Sequence, residues 1–93
     1  MIISFGNKAT QEIWVGERVK GFETKLQDEA RRKLRMLNNS IDLKDLMVPP
    51  SNRLEKLKEN FKNFYSIRVN DQWRIIFCWK NGNAENVELI DYH

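Results

Sequence analysis

The segment Tyr65-Ser66-Ile67-Arg68-Val69-Asn70-Asp71-Gln72-Trp73-Arg74-Ile75-Ile76-Phe77-Cys78-Trp79-Lys80 decides the architecture. Tyr65, Ile67 and Val69 alternate with Ser66, Arg68 and Asn70, and Trp73, Ile75, Phe77 and Trp79 alternate with Arg74, Ile76, Cys78 and Lys80. A period of two sends one set to each face of a sheet. Val87 and Leu89 continue the apolar parity, so three strands are predicted, with turns at Asn70-Asp71-Gln72 and Asn81-Gly82-Asn83. A two-residue loop at Asn70-Asp71 would set Arg68 opposite Trp73 and mix the faces. A three-residue loop pairs Val69 with Trp73 and Ile67 with Ile75, which keeps one face apolar. The three-residue loop is the prediction.

That register places Arg68 opposite Arg74 on the other face, and facing like charges destabilise a strand pair. Either an anion such as a phosphate lies between their planar donor forks, or both splay into water.

Upstream the period changes. Phe22, Leu26, Ala30, Leu34 and Leu37 step by four and three, the stripe of a helix with one buried face. Thr24 and Gln27 read as a capping box at its start, and Asn38-Asn39-Ser40 as its end. Asp28 with Arg32 and Glu29 with Lys33 have i,i+4 ion-pair spacing, and Arg31, Arg32, Lys33 and Arg35 crowd the later turns, where the helix dipole favours cations. A shorter helix is predicted from near Asn7, carrying Ala9, Ile13 and Trp14 up to Gly16. At most one further turn follows Ser40, because Pro49-Pro50 forbids its continuation.

A chain of 93 residues with 41% hydrophobic and 31% charged residues suits a single domain, residues 1–93, and excludes wholesale disorder. No apolar run approaches the roughly 20 residues of a membrane span, and Met1-Ile2-Ile3-Ser4-Phe5 does not read as a secretion signal. A lone Cys78, read as a small hydrophobe in a strand, fits a reducing compartment, so the expected location is the cytoplasm. One Cys and one His cannot build a structural zinc site, and no phosphate-binding glycine loop or nucleophile elbow occurs; no cofactor and no metal are expected. Net charge is +3, unevenly spread: residues 53–80 hold seven Lys or Arg against three acids, a local +4, whereas residues 81–93 hold three acids and no Lys or Arg. The basic stretch is either a phosphate footprint or an ordinary mixed-charge surface.

At the C-terminus stands Asp91-Tyr92-His93, with the chain's single histidine. These side chains are either a proton-transfer cluster of the kind RNA cleavage requires or a frayed end.

The run Ser66-Ile67-Arg68-Val69-Asn70-Asp71-Gln72-Trp73-Arg74-Ile75 resembles the signature of the HigB branch of the RelE/ParE toxin superfamily. Asp91-Tyr92-His93, Met1-Ile2-Ile3-Ser4-Phe5 and Asn52-Arg53-Leu54-Glu55-Lys56-Leu57 resemble the same branch, so the likeness spans nearly the whole chain. It implies an α+β fold with N-terminal helices packed on a mostly antiparallel sheet, Ile2 to Phe5 being the first strand. It also implies a type II toxin that enters the ribosomal A site on the small subunit and cuts messenger RNA by 2′-hydroxyl attack, without a metal. The implied partner is a helix-turn-helix antitoxin, HigA-like, through which the toxin–antitoxin complex binds operator DNA. By position, Arg74 would steady the scissile phosphate, Asp91, Tyr92 and His93 would orient RNA and move protons, and Arg53, Lys58 and Arg68 would face RNA. Relatives often carry a histidine followed by Pro, Leu and Lys before the Ser-Ile strand; here Glu55 takes that position, ahead of Lys56, Leu57 and Lys58. A carboxylate can act as a base but not as a cationic acid. Two alternatives stay open: a ParE-like inhibitor of DNA gyrase, and a catalytically weak toxin fold that binds RNA or an antitoxin.

Overall fold

The computed structural model describes residues 1–58 and 63–91. In chain order these form α1 (Lys8–Trp14), α2 (Thr24–Asn39), 3-10 turns at Leu43–Met47 and Pro50–Asn52, then β1 (Glu55–Lys56), β2 (Phe64–Arg68), β3 (Trp73–Lys80) and β4 (Asn83–Asp91). The four strands make one antiparallel sheet in the order β1-β2-β3-β4. α1 and α2 cover one face, and Ile13, Ala30, Leu34 and Leu37 pack there with Ile67, Ile75, Phe77 and Val87.

The predicted register is the observed one. Ile67 faces Ile75 and Arg68 faces Arg74, and the amides of Val69 and Asn70 donate to the Trp73 carbonyl at 2.9 and 3.2 Å, closing the three-residue loop. Asn70 Oδ1 accepts from the amides of Gln72 and Trp73, fixing the loop from within. The second hairpin is tighter: Lys80 pairs with Asn83, and Asn81 and Gly82 (φ 51° and 77°) supply the two positive φ angles of a type I′ turn.

β4 does not keep strict alternation. Cys78 faces Glu85 while Ile76 faces Glu88, so two residues, Asn86 and Val87, oppose one, Phe77. The extra residue is accommodated at Asn86, in the left-handed region at φ 53°. This bulge turns Ala84 inward along with Val87 and Leu89. It also explains why the expected first strand is not a continuous ladder. Residues 2–5 run parallel along β4 but bridge it only at Ile2–Ala84 and Phe5–Val87, on either side of the bulge. Between them Ser4 Oγ accepts from the Asn86 amide at 2.8 Å.

The long helix lies where its stripe predicts and ends at Asn39 as expected, but its N-terminal cap and its charge pairing differ. Glu23 is the N-cap and makes no side-chain cap bond. Gln27 is buried instead of capping: its amide accepts from the Val19 amide and donates to the carbonyls of Val19 and Phe22, at 2.8–3.0 Å, lashing the preceding loop to α2. Asp28 pairs with Arg18 and Arg31 rather than Arg32. Arg31 Nε donates to the Ile13 carbonyl at 2.8 Å, so this cation caps the end of α1, not of α2. α1 begins at Asn7, whose Oδ1 accepts from the Thr10 amide at 2.9 Å. The turn after Ser40 is capped reciprocally by Asp42 and Asp45. No helix among the described residues is long and apolar enough to cross a membrane.

Candidate active site

The sheet face turned away from the helices carries a cleft of about 500 Å³ lined by Ser51, Arg53, Glu55, Arg68, Asn70, Asp71 and Arg74. Strand pairing builds its floor. Glu55 of β1 faces Ser66 of β2, and one rung along Arg68 faces Arg74 of β3. The 3-10 turn Pro50–Asn52 builds its rim.

Arg74 is buried, with 7% of its surface exposed. Parity alone placed it on an open polar face, but the rim and β1 cover it. Its Nε donates to Ser66 Oγ at 2.9 Å, and its Nη2 donates to the Arg53 carbonyl and, at 3.3 Å, to the Ser66 carbonyl. Glu55 Oε1 lies 3.8 Å from Nη2. The guanidinium is therefore clamped in one plane, and the planar donor fork suits that role as an ammonium would not. Arg53 presents its carbonyl because its backbone is left-handed, φ 44° and ψ 58°, at the end of the 3-10 turn. Such a conformation costs a non-glycine residue about 1–2 kcal/mol, and it is held here by the contact with Arg74. No sequence signal marks Arg53 for it, and none singles out Ser66.

The facing arginines are handled by separate acids. Arg68 pairs with Asp71, and Arg74 lies beside Glu55. Neither a bound anion nor free hydration is needed to hold the two charges apart, so the structure adds a third answer to the sequence dilemma. The cleft lining nevertheless holds three arginines against two carboxylates, and it remains positive.

Over residues 4–93 the chain matches the family model described as a RelE-like toxin of type II toxin–antitoxin system HigB. It is 36% identical over 90 residues to Toxin HigB-1 of Vibrio cholerae serotype O1 (strain ATCC 39315 / El Tor Inaba N16961), covering 96% of this chain and 95% of that protein. The chain belongs to the HigB-like toxin family. A protein of Haemophilus influenzae (strain ATCC 51907 / DSM 11121 / KW20 / Rd) is 43% identical over 58 residues, covering 62% of this chain and 57% of its own. The fold is shared with YoeB structures from Staphylococcus aureus. The YoeB–YefM complex aligns at TM-score 0.63 and 16% identity over 100% of this chain and 98% of that one. The YoeB dimer aligns at TM-score 0.58 and 17% identity over 99% and 94%.

In this HigB-like toxin the fold brings Arg53, Glu55, Arg68 and Arg74 into one cleft and leaves other expected residues out of it. Lys58 is exposed in an adjoining depression of about 630 Å³ with Glu55, Lys56 and Leu57, and Glu55 lines both. Asp91 pairs across the sheet with Trp73, so it lies on the opposite face from Arg74. There its carboxylate accepts from Gln72 Nε2 at 3.0 Å, pinning the end of β4 to the loop whose Asn70 and Asp71 line the cleft. Tyr92 and His93 lie outside the described residues. Among the described residues no group of three or more His, Cys, Asp or Glu side chains gathers where a metal ion would sit.

Proposed function

We propose that this toxin is a ribosome-dependent endoribonuclease that cuts messenger RNA in the A site and so arrests translation. The observation that carries the reading is the clamped Arg74 guanidinium in a positive cleft with a carboxylate, Glu55, 3.8 Å away. Cleavage by 2′-hydroxyl attack needs a base for that hydroxyl, a cation for the charge that builds on phosphorus, and a proton for the departing 5′-oxygen. A cation fixed before the substrate arrives stabilises developing charge without reorganising. Arg74 has that character. Glu55, exposed on the cleft wall, takes the 2′-proton; the 2′-oxygen bonds to phosphorus as the bond to the 5′-oxygen breaks, leaving a cyclic phosphate. His93 supplies the leaving-group proton, a role that Arg74 and Glu55 as held here do not fill. Tyr92 orients the RNA. Asp91 acts at one remove, by holding the Gln72 loop. Arg53, Lys58 and Arg68 attract phosphates.

The same reading includes a partner. A type II toxin needs an antitoxin, and the YoeB fold relative is found in complex with YefM; here a HigA-like helix-turn-helix antitoxin neutralises the toxin and ties the pair to operator DNA. Expression of the chain alone should arrest growth and deplete transcripts, and co-expression with the adjacent gene should restore growth and yield a co-purifying complex. Harmless expression with no partner recovered would refute the toxin reading. Arrest with intact transcripts and inhibited gyrase would replace the nuclease with a gyrase poison.

A further inference from the structure

Helix α2 carries a basic side chain that the fold aims rather than neutralises. Lys33 has Glu29 one turn away, yet its Nζ donates at 2.6 Å to Asn52 Oδ1, a neutral acceptor. Asn52 is wholly buried. Its Nδ2 donates to the carbonyls of Leu46 at 3.1 Å and Val48 at 3.4 Å and rests against Met36 Sδ at 3.0 Å, so the amide has a single orientation. Asn52 stands between Ser51 and Arg53, two residues of the cleft rim. The ammonium is thus fixed against the 3-10 turn that forms the rim.

Its electrostatic surroundings are cationic. Burial, then Arg32, then Arg68 hold the Lys33 pKa below the ordinary lysine value. Among the described residues neither Arg32 nor Lys33 makes an ion pair, and Asp28, the acid spaced for Arg32, is held by Arg18 and Arg31. Arg68 has one acid, Asp71, whose side chain is 99% exposed and easily displaced. Arg32 and Arg68 thus act on Lys33 as like charges, and Arg68 in turn faces Arg74 across the strand pair. A lysine ammonium has three donors, and Asn52 uses one.

We propose that Lys33, positioned by Asn52 and assisted by Arg32, binds a backbone phosphate of RNA beyond the one met by Arg74. This inference rests on the RNA-binding reading of the cleft and extends the binding surface from the sheet onto α2. The phosphate belongs either to the strand lying in the cleft or to ribosomal RNA beside it, and the two sources can be told apart.

The test compares parent, Lys33→Gln and Lys33→Arg on two probes. One is a short single-stranded RNA with 2′-O-methyl groups, which binds but cannot be cut; the other is the small ribosomal subunit without messenger. Loss of one phosphate contact on a single strand should reduce the slope of log affinity against log salt by about 0.7. Lys33→Gln should show that reduction and Lys33→Arg should restore it. A change on the oligonucleotide assigns the phosphate to the bound strand, and a change on the subunit alone assigns it to ribosomal RNA. An unchanged slope on both probes overturns the inference. So does a loss that arginine fails to restore, which would make Lys33 only a tether for Asn52. Arg74→Ala is run in parallel. If the parent cleaves programmed messenger RNA, Arg74→Ala does not, and Lys33→Gln keeps the parental slope, the nuclease reading stands and this inference alone falls. If the parent binds neither probe and leaves programmed messenger RNA intact, both fall.

Discussion

Replacing Arg74 with Ala should damage both stability and activity, by amounts that the clamp sets separately. The residue is 7% exposed and donates to Ser66 Oγ and to the carbonyls of Arg53 and Ser66, the last contact long at 3.3 Å. Removing it strips a donor from Ser66 Oγ and from two carbonyls, each such loss costing about 1–3 kcal/mol when the acceptor stays dry. The full sum is not expected. Water can enter from the cleft to satisfy the acceptors, and a cation no longer has to be desolvated on folding. A net loss of about 1–3 kcal/mol follows, including the release of Arg53 from its left-handed turn. For a domain of this size each kcal/mol corresponds to about 4–8 °C, so the melting temperature should drop by roughly 5–20 °C. Cleavage should fall about 10²–10³-fold, the usual loss for one donor to a developing oxyanion. Thermal melting by circular dichroism reads the first effect. Single-turnover cleavage of messenger RNA in the programmed A site, well below the variant's melting temperature, reads the second. Arg74→Lys keeps the charge without the fork and should recover little of either. Melting within a degree or two of the parent would refute the clamp; undiminished cleavage by the folded variant would refute the phosphate role.

Other outcomes test the remaining parts. Glu55→Gln should slow cleavage about 10²–10⁴-fold, with little change in melting, since a half-exposed pair is worth at most about 1 kcal/mol; if Glu55→Gln stays active and His93→Gln does not, the base role moves to His93. Lys58→Ala should lower the salt slope for small-subunit binding by roughly one unit at unchanged melting temperature, whereas an unchanged slope removes Lys58 from the RNA surface. Amides of Asp42 and Ile41 donate to Asp45 and lower its pKa. A carboxylate depressed in the fold adds stability above its unfolded value, and that stability is lost as pH falls through the folded value. Asp45→Asn should therefore flatten the acid limb of a melting-temperature profile below about pH 4; an identical limb would refute the capping contribution.

Much of the fold was legible because alternation and loop length constrain each other. Ile67, Val69, Trp73 and Ile75 share a face only with a three-residue turn, and this one inference gives the β2–β3 register and the facing arginines. The burial of Arg74 was not legible. Parity states which face a residue takes, not what covers that face, and the cover here comes from a two-residue strand and a 3-10 turn too short for any period. The bulge at Asn86 escaped because its signal is a single backbone angle. Gln27 was misread for a related reason: a cap and a buried loop anchor ask for the same residue type, and tertiary contacts choose between them. Arg53, Glu55, Arg68 and Arg74, which share the cleft, were named chiefly through the family resemblance, while Ser66 and Asn52, which aim Arg74 and Lys33, became visible only through their partners. Asp91 was read as part of a proton-transfer cluster or of a frayed end, and register places it across the sheet from Arg74.

RNA cleavage on the ribosome can be read in a single reaction. Purified toxin is mixed with ribosomes programmed with end-labelled messenger RNA, in parallel with the same RNA free in solution and with Arg74→Ala as control. Cutting is expected within the A-site codon only on the ribosome, with a 2′,3′-cyclic phosphate on the upstream fragment and loss of that product with Arg74→Ala. Intact messenger RNA at saturating toxin, or equal cutting by the folded Arg74→Ala variant, would contradict that expectation.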